Sequence, residues 1–247
     1  MNASTFTVRS RPESALERIE HIAWERVDRD LDEQGNAVIE HLLSVNECEA
    51  MVALYKAGDL FRSRVVMERQ GFGRGEYKYF NYPLPPLVSG LRTSVYPHLV
   101  PIGNRWNQAM GIDVQYPGQH ADFIEQCHQD GQAKPTPLLL QYEAGDYNCL
   151  HQDVYGEHIF PLQLAILLSE PQKDFTGGEF VMTEQRPRMQ SRAAVVPLRQ
   201  GDGVVFAVRY RPIQGKRGAY RVNLRHGVSR IRSGRRYTAG IIFHDAK

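Results

Sequence analysis

The chain has 247 residues, 42% hydrophobic and 10% aromatic, enough to bury a sizeable core and too apolar for a disordered chain. No run reaches the ~18 apolar residues of a membrane-crossing helix, and the polar opening MNASTFTVRSRPESALERIE lacks the apolar centre of a secretory signal. The net charge of +2 conceals two unlike parts: residues 186–236 hold 14 Lys/Arg against Asp202 alone (+13), the remainder 16 basic and 27 acidic residues (−11).

Such a basic segment either meets a polyanion, nucleic acid being the obvious one, or spreads its arginines over solvated hairpins and internal ion pairs. Both readings stand at this point. Three unevenly spaced cysteines (Cys48, Cys127, Cys149) make no disulfide framework and suit a reducing cytosol, so a cytoplasmic location is expected.

In chain order, residues 13–30 read as a surface helix with Leu16, Ile19, Ile22, Ala23, Trp24 and Val27 towards one side. Gly35-Asn36 ends it, and Ala37-Val38-Ile39 reads as a short strand. Ser44 and Glu47 form an S-x-x-E capping box that opens a helix to about Lys56. Phe61–Met67 reads as a strand. Residues 71–86, GFGRGEYKYFNYPLPP, read as a loop or irregular hairpin. It is dense in rings (Phe72, Tyr77, Tyr79, Phe80, Tyr82) beside Arg69, Arg74 and Lys78, a composition suited to stacking on a nucleobase or to ordinary core packing. Its glycines lack the strand–turn–helix setting of a dinucleotide fingerprint.

Helices are predicted over 87–99, 104–110 and 120–130, with His120 and His128 as solvated helix histidines. After the polar connector GQAKPTP (131–137) the pattern changes to short strands: 138–143, 149–153, 160–168, 178–183, 193–198, 203–209, 220–228 and 236–243. Eight short strands predict two packed sheets, a jelly roll, behind a mainly helical N-terminal portion. The expected division is 1–134 and 135–247, forming one compact unit.

The chemistry gathers around LLLQYEAGDYNCLHQD (138–153). In extended chain, residues i and i+2 face the same way, so His151 and Asp153 project together as two ligands of one metal. A third ligand, His226, ends a predicted strand, completing the two-His, one-carboxylate set of non-haem Fe(II) oxygenases. Ten residues on, Arg236 opens the last strand. Tyr142 precedes His151 by nine residues, within hairpin reach of the same cavity. Three ligands on one face leave room for the keto and C1 carboxylate oxygens of 2-oxoglutarate and for O2, and an arginine fork suits its C5 carboxylate. Taken singly, His226 reads as a core histidine and Arg236 as a solvated arginine; the set favours the metal.

The chain resembles the 2-oxoglutarate/Fe(II) dioxygenase superfamily, with its double-stranded β-helix core. Tyr142-x-x-Gly145-x5-His151-Gln152-Asp153 resembles the metal-site approach of AlkB-type nucleic-acid dealkylases. The His226-to-Arg236 step and the stretch FTGGEF (175–180) are more like the prolyl 4-hydroxylase branch. NRWNQAMGI, PTPLLLQY, DYNCLHQDVYGEHIFPLQ, FTGGEFVMTEQRPRMQSR, RVNLRHGVSRIRSGRR and GIIFHDA together resemble a bacterial 2OG-Fe(II) oxygenase family predicted to act on damaged nucleic acid. The resemblance covers roughly residues 100–247.

It implies His151, Asp153 and His226 as iron ligands, Arg236 as the C5-carboxylate anchor, and Tyr142 and Thr238 as hydrogen-bond donors to 2-oxoglutarate. Two features depart from the AlkB pattern: Leu140 stands where an Asn is usual, and the C-terminal R-x-N-x-T-x-R signature is missing. Cys149 is expected to be a small buried thiol, His158 a rim or packing residue and His244 structural. The stretch 183–192 is expected as a loop touching phosphate or substrate. The expected function is Fe(II)/2-oxoglutarate-dependent hydroxylation of a C–H bond, with oxidative demethylation of alkylated bases in view and nucleic acid bound through 186–236. The alternatives are a prolyl-type protein hydroxylase and a nucleic-acid-binding module with a vestigial metal site.

Overall fold

The computed structural model describes residues 13–247 apart from Tyr155 and Arg217; the leaderless reading of the first twelve residues lies outside the described residues. The S-x-x-E box forms as expected. Ser44 caps α3 (Val45–Leu54), its hydroxyl accepting from the Glu47 amide while Glu47 reaches back to the Ser44 backbone. The helix predicted over 13–30 is two, α1 (Ala15–Glu20) and α2 (Trp24–Gln34), parted at 21–23 and tied by the Trp24 indole donating to the Ile19 carbonyl at 3.2 Å. Strand β1 (Asn36–Ile39) follows, then β2 (Phe61–Val66), β3 (Gly73–Arg74) and β4 (Glu76–Phe80). The segment read as a loop or irregular hairpin therefore carries two strands, which pair with other partners: β3 with the later strand Tyr147–His151, and β4 with β2 and the later strand Leu138–Glu143.

One helix, α4 (Pro86–Ala109), replaces the two predicted, with Pro97 and Pro101 inside it. Each internal proline removes a helix hydrogen bond. Burial of Val95, Tyr96, Leu99, Ile102 and Trp106 along the same helix outweighs that loss. After α5 (His120–Gln129) come β5 (Leu138–Glu143), β6 (Tyr147–His151), β7 (Leu162–Leu167), β8 (Phe175–Gly177), β9 (Phe180–Gln185) and β10 (Arg192–Val196). The chain ends with β11 (Gly203–Ala207), β12 (Tyr210–Gly215), β13 (Gly218–Val228) and β14 (Ile231–Ile241). The sequence pattern missed β12 because Pro212 interrupts it; among the described residues β12 pairs with β13 alone, an edge position where proline is tolerated.

The strands form two antiparallel sheets, so the chain is α+β. The larger runs β1-β11-β7-β14-β5-β4-β2, with β8 on β14; the smaller runs β10-β9-β13-β6-β3, with β12 on β13. β1, β2 and β4, all before residue 135, extend the larger sheet. The sheets face each other through contacts such as Phe180 on Phe206, ring centroids 5.2 Å apart. No helix is long and apolar enough to cross a membrane among the described residues.

A candidate metal and co-substrate centre

Backbone pairing decides the centre. β13 lies against β6 with His226 directly opposite His151, so two residues 75 apart in sequence become cross-strand neighbours. Their rings are 4.2 Å apart. Asp153 lies just beyond β6, its carboxylate 3.3 Å from His151 Nε2 and 3.4 Å from His226 Nε2. One ligand atom from each of the three residues lies within 4.8 Å of the others. Side-chain exposure falls from 31% at His151 to 18% at Asp153 and 8% at His226, so the cluster opens on one side only.

The protonation states suit a cation. Burial works against the Asp153 anion, but hydrogen bonds and charge attraction from both histidines hold its carboxyl far below the usual range. Burial depresses His226 and keeps its imidazole neutral. Burial also pulls His151 down, yet attraction to Asp153 outweighs it and leaves that pKa raised. His151 Nδ1 donates to the Cys149 carbonyl at 2.8 Å, which turns Nε2 towards Asp153. Two imidazole nitrogens and a carboxylate oxygen are a donor set for Fe(II).

A buried cation stands behind this cluster. Arg236 is 1% exposed and forms no ion pair among the described residues. Its guanidinium carbon lies 5.7 Å from the Tyr142 ring centroid and 5.8 Å from that of Phe175, and one amino group donates to Thr238 Oγ1 at 2.5 Å. Burial lowers its pKa to about 10, against the opposing pull of Tyr142 and Glu179. Its Nε and the Tyr142 hydroxyl are buried without hydrogen-bond partners among the described residues; Asn148 influences the hydroxyl without reaching hydrogen-bond geometry. A buried charge and orphaned donors of this kind demand an anion with acceptor oxygens. Tyr142 and Arg236 are themselves a cross-strand pair of β5 and β14, and Thr238 pairs with Leu140. All of them line one cavity of about 160 Å³ with His151, Asp153 and His226. The three candidate ligands and the three candidate co-substrate residues are thus brought together.

Other expectations fare differently. Phe72, Tyr77 and Tyr79 line the cavity, whereas Phe80 is core, stacked on Phe61 at 4.8 Å, and Tyr82 donates to Asp245 at 2.8 Å. Cys149 is exposed rather than buried, because β6 has only the short β3 beyond it. His120 is not solvated: it is 7% exposed and its Nε2 donates to the Phe243 carbonyl. His128 pairs with Asp245 at 2.8 Å and His158 with Asp130. Of the loop expected over 183–192, residues 183–185 belong to β9 and Arg192 opens β10, so only 186–191 are loop. A second cavity, about 250 Å³, shares Asp153, Gln163 and the three rings with the first and adds Arg62, Thr136 and His244. Sequence reasoning missed Gln163, although a lone amide inside the apolar run FPLQLAILL was a visible signal.

Over residues 75–246 the chain matches the family described as "Oxygenase, catalysing oxidative methylation of damaged DNA". The chain belongs to this family. Protein Rv2227 of Mycobacterium tuberculosis (strain H37Rv) is 46% identical to the oxygenase over 177 residues, 72% of this chain and 76% of the relative. Among solved structures, a Pseudomonas putida prolyl-4-hydroxylase aligns with TM-score 0.51 and 14% identity, covering 91% of this chain and 99% of that one. A Burkholderia pseudomallei oxidoreductase of the 2OG-Fe(II) oxygenase family aligns with TM-score 0.53 and 14% identity, covering 91% of this chain and 93% of that one. These likenesses show the fold. The family makes the protein an oxygenase, its fold is shared with 2OG-Fe(II) oxygenases, and His151, Asp153 and His226 form a cluster able to hold a metal ion.

Proposed function

We propose that the oxygenase removes alkyl groups from nucleic-acid bases, with His151, Asp153 and His226 holding Fe(II) and Arg236, Tyr142 and Thr238 holding 2-oxoglutarate. On this reading the two facing sheets are a double-stranded β-helix. The observation that carries the site assignment is Arg236, a buried cation in the cavity of the triad that forms no ion pair among the described residues. Its planar fork suits the C5 carboxylate, and the Tyr142 hydroxyl adds a donor. The triad would contribute two neutral nitrogens and one anionic oxygen. Bound iron would supply O2 activation coupled to oxidative decarboxylation of 2-oxoglutarate to succinate and CO2. One oxygen atom goes to succinate and the other into a C–H bond, so N–CH3 becomes N–CH2OH, which breaks to N–H and formaldehyde.

Three observations support nucleic acid as the substrate: the family's described action on damaged DNA, the rings Phe72, Tyr77 and Tyr79 beside Asp153, and the arginines. The basic segment divides. Arg186, Arg192 and Arg211 gather on Glu184, Arg235 pairs with Glu143, and Arg236 is in the site. Arg188, Arg225 and Arg230 are exposed and form no ion pair among the described residues. Such arginines can track phosphates, with an affinity for single strands that falls steeply with salt.

The test is succinate release with Fe(II) and 2-oxoglutarate, run on alkylated oligonucleotides and proline peptides in parallel. Alkylated oligonucleotides are expected to stimulate succinate and release formaldehyde. Stimulation by proline peptides alone would make the protein a prolyl-type hydroxylase, and salt-sensitive binding without succinate would make it a binding module.

A further inference from the structure

The cavity that shares Asp153 but contains none of Tyr142, Arg236 and Thr238 has a one-sided chemistry. Its walls are the rings of Phe72, Tyr77 and Tyr79, with the Arg62 guanidinium carbon 4.5 Å over the Tyr79 centroid. Two deeply buried polar side chains open on it, Gln163 at 5% exposure and His244 at 2%. Gln163 Nε2 has no hydrogen-bond partner among the described residues. His244 Nδ1 accepts the Phe160 backbone N–H at 3.2 Å, which puts the ring proton on Nε2, and Nε2 meets no partner among the described residues. Arg62 uses its Nε on the Pro135 carbonyl at 2.8 Å and forms no ion pair among the described residues.

Acceptors are scarce here because the C-terminal strap has used its own. The carbonyl of Ile242 takes Arg92 and that of Phe243 takes His120, both at 2.8 Å. The His244 carbonyl takes the Thr136 hydroxyl. Those of Asp245 and Ala246 take Gln132 at 2.7 Å and the Lys134 amide at 2.9 Å. Asp153 is committed to the two histidines. A ring entering the slot therefore meets aromatic faces, a positive guanidinium and N–H donors, and no free carboxylate. The Gln163 Nε2 makes no hydrogen bond that serves the fold among the described residues: the neighbours on its face of β7 are Ala165 and Leu167, and an unpartnered buried amide N–H is a cost until a ligand satisfies it.

We propose that this slot is the base subsite, and that Gln163 and His244 select a neutral base with carbonyl oxygens on its edge over cationic or amino-edged bases. The inference rests on the nucleic-acid reading and adds the class of base. A carbonyl satisfies the waiting N–H groups of Gln163 and His244; an amino group could be met only by the Gln163 amide oxygen, leaving both of those N–H groups unpaired; a cationic ring meets Arg62. The discrimination expected from one buried donor left unpaired is roughly 10- to 100-fold.

The test uses single-stranded oligonucleotides carrying one N3-methylthymine (neutral, two carbonyls), N1-methyladenine or N3-methylcytosine (both cationic). Affinity is measured by calorimetry without O2, and formaldehyde release is measured with the complete enzyme. Wild type is expected to favour N3-methylthymine about 10-fold or more in both. Gln163→Glu, which replaces the donor by an acceptor, is expected to shift the preference towards the cationic bases. Gln163→Met, of similar shape and without polar atoms, is expected to narrow it. A wild-type preference for cationic bases, or a preference that neither variant moves while oligonucleotides are still processed, overturns the subsite assignment and leaves the nucleic-acid reading standing. Succinate stimulated only by proline peptides overturns both.

Discussion

Arg236 is a poor residue for folding and a good one for binding. A buried guanidinium without a carboxylate is an uncompensated charge, so removing it relieves the free protein while depriving the co-substrate of its partner. Arg236→Gln is therefore expected to raise the KM for 2-oxoglutarate by roughly 10²–10³, the effect of truncating one side of a buried charge pair worth about 3–4 kcal/mol. Thermal stability of the ligand-free protein should hold or rise. An unchanged KM would show that 2-oxoglutarate binds elsewhere. The ligand cluster makes a separate prediction about pH. His151 titrates above the ordinary histidine value of 6.5 because Asp153 prevails over burial, and its proton competes with a metal. Mn(II) affinity, followed by calorimetry, is expected to increase with pH through that displaced titration. Asp153→Ala should abolish metal binding rather than shift its pH dependence.

What brings these side chains together is pairing between β-strands, and here the sequence was unevenly informative. Strand parity predicted His151 and Asp153 on one side; the strand ends at His151, yet Asp153, just beyond it, still faces both histidines, and Tyr142 and His226 lay at readable strand positions. The direct opposition of His226 and His151, and of Arg236 and Tyr142, was invisible, because register is set by which strands meet. The same holds for β4. Its glycine-rich flanks read as loop, yet pairing with β5 sets Tyr77 beside Leu140 and Tyr79 beside Leu138, on the cavity wall. Buried histidines such as His120 looked solvated because their cover, the C-terminal strap, lies over 100 residues away in sequence. The FTGG stretch acquires a physical reason only in three dimensions. Gly178 has φ +66°, and a Cβ there would lie 2.3 Å from Ile231 Cδ1 and 3.0 Å from Arg236 Cδ. Gly178→Ala is expected to cost about 1–3 kcal/mol of stability, from the left-handed backbone and the clash together. It should also weaken 2-oxoglutarate binding by displacing Arg236. Denaturant unfolding and a 2-oxoglutarate titration check the two effects, and a variant with wild-type values in both would show that the turn yields freely.

Helices and sheets are joined by residues 242–246, whose carbonyls are held by Arg92 of α4, His120 of α5 and the connector before β5. Asp245, fully buried, anchors the strap through Arg92 at 2.7 Å and His128 at 2.8 Å. Two histidines at this junction, His120 and His244, are pushed down to about 4, by burial first and by the charge of Arg92 second. An unfolded chain takes up their protons near pH 6.5 while the folded chain refuses them until about pH 4. Both contribute fully to stability above 6.5, and that contribution shrinks as pH falls from 6.5 towards 4, where the folded sites protonate and the loss levels off. Between pH 6.5 and 5 the loss is roughly 2 kcal/mol for each histidine. Asp245, held below the ordinary carboxylate range once Arg92 overcomes its burial, adds its own loss only in stronger acid. Urea unfolding at pH 7.5 and pH 5.0, compared between wild type and His120→Gln, isolates one of these titrations because every other group is common to both proteins. The variant is expected to start less stable at pH 7.5, having lost the bond to Phe243, and to lose roughly 2 kcal/mol less than wild type on acidification. Equal losses in the two proteins would mean that His120 is protonated in the folded chain and that the junction opens to water well above pH 5.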